Sequence, residues 1–209
     1  MKLTLLVFLT TILFAPVAWG ADKGAALYEL CAFCHGQQGQ GQEDIHTPAI
    51  AGLPKWYVIE QLKKFSNGAR GAHKDDIIGL KMRPMARTLK GDQEIAAVAE
   101  FVANMKPPKL QDTIKGSVIA GEQVYAPCLA CHGPDGMGVK DLVPPAPPLL
   151  YSNDWYLKRQ LENFKAGRRG YDAAKDLGGA AMRPMAMMLS EEAMNNVIVY
   201  IRALADQGE

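Results

Sequence analysis

Two copies of Cys-x-x-Cys-His, Cys31 to His35 and Cys128 to His132, stand 97 residues apart in this chain of 209 residues. They are the fixed points of a longer repeat. Pro48 and Pro147 differ by 99, as do Trp56-Tyr57 and Trp155-Tyr156, Gln61-Leu62 and Gln160-Leu161, and Arg70-Gly71 and Arg169-Gly170. Met82-Arg83-Pro84-Met85-Ala86 returns as Met182-Arg183-Pro184-Met185-Ala186 at an offset of 100. An offset that drifts by so little marks a tandem duplication with small loop insertions. Each copy is about ninety residues, which makes two small domains rather than one large one.

Each copy reads as helical. Residues 24–31 and 117–126 are expected to form short helices leading into the cysteines. Trp56, Ile59 and Leu62 in one copy, and Trp155, Leu157, Leu161 and Phe164 in the other, recur at helical spacing; Gly68 and Gly167 then end those helices. Ser190 is an N-cap followed by Glu191 and Glu192, with an apolar stripe of Val197, Ile198, Ile201 and Leu204. Ile95, Val98 and Val102 form the matching stripe in the first copy. No alternating strand pattern of useful length occurs, so the class is all-α. Lys106-Pro107-Pro108-Lys109 breaks the last helix of the first copy and opens a stiff connection. The expected division is residues 21–108, a linker over 109–116, and residues 117–209.

Residues 1–20 read as an export signal. Lys2 gives the positive start, Leu3 to Trp19 is an apolar run, and Ala18-Trp19-Gly20 places cleavage before Ala21. The run is short for a membrane span and contains Pro16, so a soluble periplasmic protein is expected, with peripheral membrane association compatible with it. Without that segment, 22 Lys and Arg balance 22 Asp and Glu, and neither half has the basic excess that a phosphate backbone would demand. Nucleic acid is therefore not an expected partner.

The chemistry lies in the repeated cysteines. In Cys-x-x-Cys-His the two thiols add to the vinyl groups of haem as thioethers, and the histidine binds the iron. Cys31, Cys34, Cys128 and Cys131 are thus the attachment points of two covalently bound haem c groups, with His35 and His132 as axial ligands. A redox dithiol or a four-cysteine zinc site would not require a histidine after each pair. A thioether is the second ligand suited to electron transfer, since soft sulfur favours Fe(II). Each copy offers two methionines, Met82 or Met85 and Met182 or Met185, on a proline-containing segment read here as non-helical. The chemistry alone does not choose within each pair. His46 and His73 read as solvated loop residues; Arg70, Arg169 and Lys81 could neutralise haem propionates or lie at the surface.

The whole chain after residue 20 resembles the dihaem cytochromes c of the c4 family, two class I cytochrome c domains in tandem related by a pseudo-two-fold duplication. The resemblance rests on CAFCHG and CLACHG, the proline nine residues before a tyrosine, QLKKFSNGARG and QLENFKAGRRG, and the twin MRPMA segments. It implies that Met82 and Met182 are the axial ligands, and that the carbonyls of Pro48 and Pro147 receive the other imidazole N–H of His35 and His132. It further implies haems facing each other across the domain interface, and a single-electron carrier between a quinol:cytochrome c oxidoreductase and a haem-copper oxidase. The WY…QL…F…G.RG stretch is also similar to cytochrome c domains that serve such oxidases. Rival readings are the cytochrome subunit of a periplasmic dehydrogenase, such as a flavin-containing sulfide dehydrogenase, and a dihaem peroxidase or thiosulfate dehydrogenase.

Overall fold

The computed structural model describes residues 19–206; the expected signal segment and its cleavage point fall outside the residues whose side chains are described. Nine α-helices occur among them, and no strand. The first repeat contains α1 (Trp19–His35), α2 (Lys55–Asn67), α3 (Ile77–Arg87) and α4 (Gly91–Ala103). The second contains α5 (Val118–Tyr125), α6 (Leu129–His132), α7 (Asp154–Lys165), α8 (Leu177–Met187) and α9 (Glu191–Asp206). Pro127 has no N–H to continue a helix, so a 3₁₀ turn over Ala126–Cys128 divides α5 from α6 where α1 runs unbroken into His35. No described helix is long and apolar enough to cross a membrane.

Each repeat has its own apolar core. Tyr28, Ala32, Val98 and Val102 bury the α1–α4 crossing, and Tyr125, Leu157, Val197, Ile198 and Ile201 bury the corresponding α5–α9 packing. A glycine makes each crossing close. A Cβ on Gly24 would lie 2.6 Å from the carbonyl oxygen of Ala97, and one on Gly121 only 2.0 Å from that of Asn196. Backbone cannot give way as a side-chain tip can. Gly121→Ala is therefore expected to cost about 3 kcal/mol, the upper end for overpacking, read as a lowered denaturant midpoint of the haem-loaded protein. A loss below about 1 kcal/mol would show that α5 and α9 slide apart freely.

The segments carrying the methionine pairs correct the expectation that they are non-helical: Met82 and Met85 lie on α3, Met182 and Met185 on α8. The cause is a strong start. Asp76 and Asp176 cap these helices, their carboxylates accepting from the N–H of Gly79 (3.0 Å) and Gly179 (2.8 Å). Pro84 and Pro184 fall in the later turns and remove one hydrogen bond each without ending the helix.

The connection between the repeats is tied down along its length. Pro107 sits against Gly52, where a Cβ would come within 2.4 Å of its ring. The buried Asp154 carboxylate accepts from the N–H of Thr113 (2.5 Å) and Ile114 (2.7 Å), and Arg202 Nε donates to Asp112 at 2.8 Å. These three hydrogen bonds hold the strap more firmly than the stiffness of two prolines alone would.

Candidate haem sites and the seam between them

The helices place two cavities side by side. Cys31, His35, Pro48 and Met82 line the first, of about 140 Å³. Cys128, Cys131, His132, Pro147 and Met182 line the second, of about 230 Å³. Cys34 is exposed. Met85 is absent from the lining of the first cavity, whereas Met182 and Met185 both line the second. Neither His46 nor His73 reaches a cavity wall; His46 is exposed, and His73 stacks edge-on at 5.9 Å with Tyr171.

Each imidazole is held for ligation. His35 Nδ1 lies 2.9 Å from the Pro48 carbonyl oxygen, and His132 Nδ1 lies 2.9 Å from that of Pro147. With that nitrogen donating, Nε2 keeps its lone pair for a metal. Burial pushes both imidazoles below the usual histidine range, against the opposing pull of the carbonyl bond, and so favours the neutral form that binds iron. The turn after each histidine is pinned from the core. Tyr28 OH donates to the Gly36 carbonyl at 2.8 Å, and Tyr125 OH to that of Gly133 at 2.9 Å. Burial pushes the Tyr28 phenol up to about 12, so it remains a donor.

The residues present fit a covalently held haem. Cys31, Cys128 and Cys131 line apolar cavities, with a neutral imidazole and a thioether in each wall. Arg169 Nε is buried without a partner beside the second cavity, a donor suited to a carboxylate. The competing metal reading fares worse: among the described residues no three His, Cys, Asp or Glu side chains converge on a point that could hold a metal ion. Burial also raises the pKa of the Cys31 and Cys128 thiols, away from the thiolate form that a redox dithiol requires.

Arg70 and Arg169, whose sequence context fits either propionate neutralisation or a surface position, are both buried in the seam where the repeats meet. Arg70 donates to Gln61 (2.8 Å) in its own repeat and to Tyr156 (2.5 Å) and Gln160 (3.0 Å) in the other. Arg169 donates to Gln160 (2.9 Å) and back across to Gln61 (3.3 Å). The two glutamines thus sit near the pseudo-two-fold axis, each bridging both arginines. Burial alone would raise the Tyr156 phenol, but Arg70 and Arg169 outweigh it and hold its pKa below the ordinary value. Tyr57, Gln61, Ser152, Tyr156 and Gln160 line both cavities. Lys81 is exposed on α3 and lines neither.

One cross-domain bond breaks the symmetry. Lys64 pairs with the buried Asp176 at 2.7 Å, while the position equivalent to Lys64 in the second repeat is Asn163. Burial opposes the Asp176 charge, yet the hydrogen bond and charge of Lys64 prevail and keep its pKa below the usual carboxylate range. A depressed folded pKa contributes stability above the unfolded value, lost as pH falls through the folded one. Lys64→Met is therefore expected to cost about 3 kcal/mol at neutral pH, the lower end for stranding one partner of a buried pair. The difference from the unaltered protein should shrink as pH falls through the depressed folded pKa of Asp176. A pH-independent difference would show that the pair contributes through packing alone.

Comparison with known proteins agrees with this arrangement. The family model described as "Cytochrome c" matches twice, over residues 21–106 and 118–205. A "Thiosulfate dehydrogenase electron acceptor" of Thiomonas intermedia is 30% identical over 81% of this chain and 77% of its own length. A "Cytochrome c4" of Thiocapsa roseopersicina is 31% identical, covering 84% of this chain and 88% of its own. Among solved structures, reduced recombinant cytochrome c4 from Pseudomonas stutzeri superposes with a TM-score of 0.66 at 25% identity, over 87% of this chain and 97% of that one. A thiosulfate dehydrogenase (TsdBA) structure from Marichromatium purpuratum gives 0.68 at 26% identity over 87% of this chain, which spans 39% of the length of that one.

Proposed function

Since this chain belongs to the cytochrome c family, and is a cytochrome c4-like electron carrier with two c-type haems, we propose that His35 with Met82 and His132 with Met182 hold its two irons. Cys31, Cys34, Cys128 and Cys131 carry the thioether bonds, within domains over 21–108 and 117–209 joined by the linker 109–116. The haem iron supplies a one-electron Fe(II)/Fe(III) couple when bound. The protein supplies everything that couple needs from its surroundings. Two strong-field side chains close each site, so no position is left for substrate. The Pro48 and Pro147 carbonyls fix the imidazole rings, which keeps the ligands in place through a change of charge. Arg70 and Arg169 bring positive charge to the shared wall, where propionates can be neutralised.

The observation that carries this reading is the shared wall itself, five residues that line both cavities. Two redox sites fixed side by side suit a carrier that accepts an electron at one domain and delivers it from the other. We place it in the periplasm, between a quinol-oxidising complex and a terminal oxidase. The test is reoxidation of the reduced protein by respiratory membranes, expected to be fast and blocked by cyanide. Failure of the membranes to oxidise it would sink the oxidase assignment.

A second donor reading is favoured by two relatives named thiosulfate dehydrogenase electron acceptor, in Thiomonas intermedia and Stutzerimonas stutzeri. On that reading the electrons come from a thiosulfate-oxidising enzyme, and this chain remains a carrier. Thiosulfate should then reduce the protein in a periplasmic extract but not when the protein is pure. Quinol-dependent reduction through the membrane complex selects the first donor instead.

A further inference from the structure

The two methionine-bearing helices share the MRPMA segment and differ in the residues on either side of it. Residues 77–90 read IIGLKMRPMARTLK, and residues 177–190 read LGGAAMRPMAMMLS. Lys81, Arg87, Thr88 and Lys90 of the first are answered by Ala181, Met187, Met188 and Ser190 of the second. Neither stretch contains a carboxylate, so the first carries four cations and the second one.

The four cations are uncommitted. Lys81, Arg87 and Lys90 are exposed, and none of the four, Arg83 included, forms an ion pair among the described residues. Neighbouring Lys63 does, with Asp92 at 2.9 Å. Arg87 is steadied by donating from Nε to the Ser66 carbonyl at 3.0 Å, which leaves its outer nitrogens free to bind elsewhere. Leu80, Arg83, Pro84, Arg87 and Thr88 line one shallow depression, on the helix whose inner side presents Met82 to the first cavity. At the corresponding place in the second repeat, Met187 and Met188 are 59% and 68% exposed.

We propose that the outer face of α3 docks an acidic surface of a redox-partner protein, and that α8 does not share this role. The two domains therefore meet chemically different partners, which gives the molecule a direction. Unpaired cations of one sign raise a local positive potential that steers an anionic partner and sets its orientation, with strong dependence on salt. A protein partner fits better than an anionic membrane. The helix has no aromatic anchor for a lipid interface, and a lipid offers no centre to exchange an electron with the site beneath. Only the electron path rests on Met82 as ligand; the docking does not.

The test is an amide NMR titration of the reduced, haem-loaded, ¹⁵N-labelled protein with a polyglutamate peptide. Shifts are expected to concentrate on residues 80–90, to be absent from 180–190, and to vanish at high salt. K81E/R87E/K90E should weaken binding at least tenfold with an unchanged haem spectrum. M187R/S190K should add a second set of shifts on α8, so the proposal is tested even if the triple variant misfolds. Equal shifts on both helices, none on α3, or shifts insensitive to salt would overturn it. So would binding to phosphatidylglycerol vesicles through α3 without any response to the peptide. The titration reads binding alone, so its failure is distinct from failure of Met82 ligation, which the haem spectrum decides.

Discussion

Replacing Cys128 and Cys131 together by alanine is expected to yield a protein with one haem per chain in place of two, and a second domain that no longer unfolds cooperatively. The reason is the size of what the domain is built around. Its cavity of about 230 Å³ is walled by Leu157, Leu161, Phe164, Val197, Ile198 and Ile201. At about 24 cal/mol per Å³, a void that size costs on the order of 5 kcal/mol, comparable with the whole stability of a small domain. Filling it with water instead leaves the same apolar wall wet. Covalent attachment prevents the group from leaving in either oxidation state, so its loss should cost far more than any single side-chain change. The first domain, with its separate core of Tyr28, Ala32, Val98 and Val102, should keep its haem. Mass measurement gives the haem count, and denaturant unfolding the lost transition. A variant that still held two haems would remove the assigned attachment points.

Met82→Ala is expected to abolish the weak ferric methionine–iron band for one haem only, and to lower that haem's potential by on the order of 0.1 V or more, within the ~0.8 V range set by axial-ligand identity. Loss of the soft sulfur removes the preference for Fe(II). Met85→Ala should leave both bands in place and lower stability, because Met85 is half-buried and does not line the first cavity. Met182→Ala is expected to repeat the effect in the second domain. There the geometry discriminates less, since Met185 also lines the cavity. If Met85→Ala removed the band and Met82→Ala did not, the ligand choice within the pair would be reversed.

What could be read from the chain beforehand was whatever the duplication wrote twice. The cysteines, His35 and His132, the arginines and the MRPMA segments all announced themselves by recurring at nearly constant spacing. Gly24 with Gly121, and Tyr28 with Tyr125, share the offset of 97 as well and were legible by the same reasoning. Their roles at the helix crossings and behind the haem-binding turns show only in the fold. The seam was hidden for a different reason. Arg70 reaches Gln160 across 90 positions and Arg169 reaches Gln61 across 108, and no local period encodes such pairs. Lys64–Asp176 and the Asp154 clamp on the linker were harder still, because Asn163 and Lys55 stand at the repeat-equivalent positions of Lys64 and Asp154 and erase the signal. The helical state of the methionine segments escaped because the proline outweighed the aspartate caps at Asp76 and Asp176, whose carboxylates hold the first turn.

Two closed, six-coordinate sites that share one wall and pass single electrons should show both properties in one preparation. A spectroscopic redox titration of the purified protein, followed by exposure of the reduced form to carbon monoxide, tests this most directly. The expected result is two haems per chain, two resolvable one-electron steps, a methionine–iron band belonging to each ferric haem, and negligible carbon monoxide binding. A single haem, or rapid carbon monoxide binding at either iron, would contradict it.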